Sequence, residues 1–309
     1  MDIVWPIIAP VFGAVLLGAL LFRAGLFDAR TGDGLARFVY YIAIPALLFQ
    51  NLANATLPAE FPWRLILAFY LPSIALFACG VLITRHVFGW DRASQGVAGM
   101  GACYSNMVML GIPLSQAAFG PAAAVPLFTL IALQSSVLFT LATWTIEVYG
   151  AAGRGSAVPW YRALGGLLFN PVILCLAAGM TANLMGWTPE GILSSLLDKV
   201  SAGAPGCALV SLGISLAQYP VRGALRESFA LILCKNLLHP LLVWLACRVF
   251  EVPADWARVA ILLAAMPSGI NGYVFAKRYG LREEVASKVV VISTLLSSIG
   301  ASLTLTALL

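Results

Sequence analysis

Residues 105–120 read SNMVMLGIPLSQAAFG, and Asn106, Gly111 and Pro113 fall within eight positions of an otherwise apolar run. The stretch reads as a membrane-spanning helix broken near its middle. A break in lipid is costly, because the freed backbone N–H and C=O groups find no water there. Irregular backbone persists in a bilayer only inside protein or beside a watery cavity. A helix that only packs has no need of one.

The rest of the chain points to the same solvent. Of its 309 residues 61% are hydrophobic and 10% charged, too little charge for the surface of a soluble protein. Apolar runs near the ~20 residues that span a bilayer recur along the chain. Ten spanning segments are expected, over 5–22, 35–53, 63–84, 95–119, 122–149, 164–186, 191–218, 228–249, 257–277 and 285–308. The fold class is therefore an all-α membrane protein. The longest polar connection, 150–161, begins GAAGRGS and is the one linker. The first segment does not read as a cleavable leader, since Asp2 is the sole charge before it. The six cysteines sit in apolar segments without ligand spacing, as small core residues do. No metal, cofactor or nucleic-acid partner is expected, and the net charge of +5 matters through its distribution.

Thirteen of the eighteen lysines and arginines fall in alternate connections, four lie on the other side, and Lys235 lies within a segment. Cytoplasmic retention of positive charge puts the rich side inside and both termini on the extracytoplasmic side of an inner (plasma) membrane.

The two halves share a pattern. Pro10 and Gly18 recur as Pro171 and Gly179, Pro45 as Pro205, Phe119-Gly120 as Tyr279-Gly280, and Ser135-Ser136 as Ser297-Ser298, always 160–162 residues on. Residues 1–150 and 151–309 then form two repeats of five spans. An odd number inserts the second half upside down, the inverted arrangement of secondary transporters whose sites lie near the midplane at discontinuous helices.

Under that repeat, Gly111-Ile112-Pro113 aligns with Asn271-Gly272-Tyr273 inside MPSGINGYVFAKRYG, residues 266–280. The fourth and ninth segments are both read as broken, with Gly111 and Pro113 holding the fourth one open. Freed helix N-termini carry partial positive charge and suit an anion, and Asn106 and Asn271 add neutral donors.

Lys235 lies nine residues past Arg226, about 13 Å along a helix and so near mid-bilayer. An intramembrane charge is a site candidate by default; the other readings are snorkelling, or bonding the backbone of a neighbouring break. His239, directly before Pro240, reads as a satisfied kink residue. Gln50, Asn51, Gln134 and Gln218 either line a path or bond neighbouring helices, while Glu147 and Asp198 sit near segment ends. No aspartate or glutamate is placed deep in a segment, which favours an anion carrier over a cation- or proton-coupled antiporter of similar architecture. The remaining alternative is an intramembrane serine hydrolase using Ser215 and His239, a weak pattern that leaves both breaks unexplained.

At NMVMLGIPL (106–114) and YVFAKRYG (273–280), with IPALLF (44–49) and the Asn170-Pro171 pair, the chain resembles the auxin efflux carrier family, which includes bacterial organic-anion permeases. The resemblance spans all ten segments. It implies crossing, broken fourth and ninth helices, with Pro113 and Pro267 at the crossover. It also implies a scaffold part and a transport part that move past one another, and a dimer. Asn106 and Asn170 then sit where members of the family hold a substrate carboxylate. The short linker resembles a bacterial permease more than the large plant members. The expected activity is transport of a small organic anion, a mono- or dicarboxylate, by alternating access, with a proton or sodium as candidate coupling ion.

Overall fold

The computed structural model describes residues 4–57, 60–150, 171–219 and 225–308. Asn170, the 151–161 linker and Arg222 lie outside the described residues. Helices occupy all ten intervals where spans are expected: α1 (Trp5–Arg23), α2 (Ala29–Phe38) with α3 (Ile44–Ala53), α4 (Trp63–His86), α5 (Gln95–Cys103) with α6 (Ile112–Phe119), α7 (Ala124–Gly150), α8 (Pro171–Leu184), α9 (Gly191–Ala202) with α10 (Ala204–Gln218), α11 (Leu225–Leu233) with α12 (His239–Val249), α13 (Ala254–Ala265) with α14 (Asn271–Tyr279), and α15 (Glu283–Leu308). Among the described residues, seven helical stretches are long and apolar enough to cross a membrane by length and composition. The molecule is an all-helical, multi-pass membrane protein.

Three of these segments change pitch at a proline. π-Helical turns at Val39–Ala43, Met107–Gly111 and Cys234–Leu238 each end two residues before Pro45, Pro113 or Pro240. Proline has no N–H to give the carbonyl four residues back, and its ring crowds that carbonyl. A wider turn accommodates both faults without ending the helix.

The helices pack as two groups. In one, α1 lies along α10, α3 along α8, and α2 and α9 fill between them. In the other, α4 packs on α5 and α12, α7 on α5 and α13, and α15 on α11, α13 and α14. Close backbone approach holds the first group: a Cβ on Gly18 would stand 2.2 Å from Val210 O, and one on Gly213 1.9 Å from Val15 O. Gly179 meets Phe49 O in the same way, at 2.8 Å. Only glycine lets helix backbones come this near, the usual device of membrane helix contacts.

The extramembrane ends are ordinary. Asp28 caps α2, accepting from the Thr31 N–H at 2.8 Å and its hydroxyl at 2.7 Å. These bonds, the hydroxyl's first, hold its carboxyl below the usual carboxylate range. Arg64 and Glu251 pair at 3.5 Å, and Arg282 lies over the Trp90 ring at 4.8 Å. Each contact joins connections that charge counting placed on one side.

Candidate functional site

The fourth segment does open, but not where Gly111 and Pro113 stand. Helix α5 ends at Cys103, Tyr104 is extended (φ −72°, ψ 112°), and the helix resumes at Met107. In the ninth segment α13 ends at Ala265, Met266 is extended (φ −62°, ψ 150°), and α14 begins at Asn271. The two openings meet. Ser105 and Ser268 form an antiparallel bridge, in which Asn106 N–H donates to Pro267 O at 2.9 Å and Gly269 N–H to Tyr104 O at 2.9 Å. Two strand-like bonds thus replace part of the helical bonding that each break gave up.

Gly111 and Pro113 lie in continuous helix beyond the opening. A Cβ on Gly111 would stand 2.8 Å from Leu263 Cδ2, so this glycine seats the π turn against α13. Pro113 causes the π turn. The sequence placed the break too late because glycine and proline are stronger local signals than the Ser-Asn pair that opens the chain.

Around the bridge lies a set of polar side chains with spare bonding capacity. Asn106 Oδ1 accepts from the Met109 N–H at 3.3 Å, capping the resumed helix, while its Nδ2 is buried without a partner. Ser105 Oγ, Ser268 Oγ and Gln134 Oε1 are buried without partners as well. Gln134 Nε2 donates to Ser105 O at 2.9 Å, and the Ser268 N–H to Ser293 Oγ at 3.0 Å. Asn271 Nδ2 donates to the Tyr104 hydroxyl at 2.8 Å, and that hydroxyl lies 3.2 Å from Ser135 Oγ. A buried polar atom left unpaired costs about 1–3 kcal/mol, and native proteins hold few of them. Several at one crossing of two helix breaks mark a place built for something else to bond.

Of the residues singled out in the sequence, the structure thus gathers Asn106, Pro267 and Asn271 at the crossing and sets Gly111 and Pro113 beyond it. Ser105, Ser268 and Tyr104 were missed, although SN (105–106) and PSG (267–269) flank the breaks with the small polar residues that suit open backbone.

Lys235 is fully buried, and its Nζ donates to Ala264 O at 2.7 Å and Met266 O at 2.6 Å. Of its sequence readings, the structure bears out the grip on a neighbouring break. His239 faces Ser73, with Nε2 2.9 Å from Ser73 Oγ. That hydroxyl already donates to Phe69 O at 2.7 Å, so the imidazole donates through Nε2–H. Ser215 Oγ donates to Ser211 O at 2.9 Å within its own helix, so the structure forms no Ser215–His239 dyad. Among the described residues no group of His, Cys, Asp and Glu is arranged to hold a metal ion, and no aspartate or glutamate whose side chain is described is buried.

The chain matches the family model described as membrane transport protein over residues 3–157 and 162–305. It is 30% identical over 299 residues to a "Putative malonate transporter" of Rhizobium meliloti (strain 1021), covering 94% of this chain and 91% of that one. It is 26% identical over 340 residues to auxin efflux carrier component 8 of Arabidopsis thaliana, covering 93% and 92%. An uncharacterized transporter of Methanothermobacter thermautotrophicus is 25% identical over 283 residues, covering 92% and 91%. On this match, running almost end to end through both breaks, the chain belongs to the membrane transport protein family of the auxin efflux carriers, which are transporters and not enzymes.

Proposed function

We propose that this transporter moves a small organic anion, a mono- or dicarboxylate, across the cytoplasmic membrane by alternating access, binding it where the fourth and ninth segments cross. The single observation that carries the reading is that this crossing leaves Asn106 Nδ2 and the Ser105 and Ser268 hydroxyls buried without partners. The half-helices that restart at Met107 and Asn271 both turn their N-terminal, partly positive ends toward the crossing. Three unpartnered groups there can donate, Asn106 Nδ2 and the Ser105 and Ser268 hydroxyls, against one that only accepts, Gln134 Oε1; with no buried carboxylate among the residues whose side chains are described, the balance suits an anion. That a relative of 30% identity is named for malonate makes malonate the first acid to test.

In this reading all ten segments span the membrane as two inverted repeats, 1–150 and 151–309, with both termini outside. Packing supports it. Gly18 meets Val210 O, and Gly179 meets Phe49 O; each residue of the second contact is the equivalent of one in the first, 161 positions along. Gly120 and Gly280, matched by the repeat, close α6 and α14 with φ of +61° and +63°. The α1–α3/α8–α10 group acts as scaffold, and the α4–α7/α11–α15 group carries the site past it, as the thinner packing between the groups allows. Asn170 completes the carboxylate contacts, a proton or sodium ion is the coupling partner, and two chains associate as a dimer.

The test is uptake of labelled malonate and a panel of other carboxylates into proteoliposomes, with and without an imposed potential. Saturable carboxylate uptake supports the reading. A purified, folded carrier that moves none of them but moves organic cations overturns it.

A further inference from the structure

Helix α13 ends in the middle of the protein, and its terminal carbonyls would form the negative end of a helix dipole with no water to meet it. One of them, Ala264 O, and the carbonyl of the extended residue just past the end, Met266 O, instead receive the Lys235 side-chain nitrogen at 2.7 and 2.6 Å. The side chain arrives from a different segment, inside the π turn Cys234–Leu238, where Asn236 Nδ2 also donates to Ser293 O at 2.9 Å. Lys235 is fully buried. The salt bridges among the described residues, Arg64–Glu251 and Arg258–Asp255, do not involve it. Among the described residues, the bonding partners of its Nζ are main-chain oxygens alone. Carbonyls at an unwound half-helix end are the ligands with which discontinuous membrane helices hold a monovalent cation.

The other break has no such need. Tyr104 O receives the Gly269 N–H, and Ser105 O receives Gln134 Nε2, both neutral donors. Among the described residues, an ammonium group meets the break of the ninth segment and neutral donors meet that of the fourth.

We infer that Lys235 is a tethered cation: its ammonium fills a monovalent-cation site formed by the carbonyls of Ala264 and Met266, so this carrier does without a diffusible ion there. The ligand class for the emptied site is an alkali cation or a small primary ammonium. Lys235 is thus a positioning residue, acting on the break and through it on the substrate site. Only the transport measurement below rests on the organic-anion reading; the binding measurement needs no substrate.

Purified wild type, Lys235→Ala and Lys235→Met are compared in sodium, potassium, ammonium, methylammonium and choline chlorides. The wild-type Tm is expected to be the same in all five. Lys235→Ala should melt lower in choline and recover by roughly 5 °C in a large excess of at least one small cation. Lys235→Met, whose side chain fills the space without charge, should melt lower and recover little. In proteoliposomes Lys235→Ala should lose carboxylate uptake at least about tenfold in choline, a loss the rescuing cation reverses. The inference is overturned if Lys235→Ala is as stable in choline as wild type. It is equally overturned if the variant is less stable, or too unstable to purify without salt, and none of the four small cations restores it. Sodium-dependent stability of wild type at this site would overturn it too. Absence of carboxylate uptake in wild type, with the Tm pattern intact, would count against the substrate reading alone.

Discussion

Asn106 divides its side chain between two tasks. Its oxygen caps the helix that restarts at Met107, and its amide nitrogen is left buried and unbonded. If that nitrogen donates to a substrate carboxylate, removing it forfeits one hydrogen bond to a charged group, roughly 1.5–3 kcal/mol, or about tenfold to 150-fold in affinity. Asn106→Ala should therefore insert and fold, yet show that much weaker substrate-induced thermal stabilisation. Wild-type affinity in this variant would return Asn106 to a purely capping role. Asn271 spends one of its two amide N–H donors on the Tyr104 hydroxyl at 2.8 Å, which leaves one for a substrate. The residue type was readable in the sequence; the partner it had already taken was not.

At the scale of elements, the closest contacts are those of α1 with α10. Gly213 has Val15 O where its Cβ would be, at 1.9 Å, and since the obstacle is backbone no rotamer relieves it. Gly213→Leu should force the helices apart and cost about 1–3 kcal/mol or more, read as a lower Tm in detergent. Gly206, where an added Cβ would meet nothing within 4 Å, gives the control: Gly206→Ala should leave Tm unchanged. A fall of similar size in both would remove the special role of the α1–α10 contact. The three proline-associated π turns belong to this scale as well. The sequence announced a break at Pro113 and a kink at Pro240, but the helices run on through both, as through Pro45. The fourth and ninth segments open instead at the extended residues Tyr104 and Met266, beside the Ser105–Ser268 bridge.

For the whole molecule, sidedness is the first quantity to fix. Arg64 with Glu251, and Arg282 with Trp90, bring together connections that the lysine and arginine distribution placed on common sides. With both termini outside, a cysteine at exposed Ala24 should react with an impermeant maleimide only after the membrane is opened, in a background lacking the native cysteines. One at exposed Thr188 should react in intact spheroplasts. The reverse labelling would invert the topology and with it the inward and outward faces of the crossing. The two helical groups also bound an apolar cleft of about 530 Å³, lined by Leu52 and Leu176 from one group and Phe128 and Leu133 from the other. In the proposed mechanism it lies on the boundary along which one group would slide past the other.

The sequence by itself determined the solvent, the positions of the helices, their charge asymmetry and the existence of two interrupted segments. Each of these follows from the chemistry of neighbouring residues: apolar runs, arginine-rich turns, and glycine or proline within a span. Only the tertiary structure decided where the breaks open and what satisfies them. Ser105 pairs with Ser268, 163 residues away, and Lys235 reaches carbonyls 29 and 31 residues ahead of it. Such pairings depend on which helices come to lie side by side, and the breaks are stable only because the partner is there. In lipid an open backbone must find its hydrogen bonds inside the protein, so the location of the site is a property of the crossing and not of either segment alone.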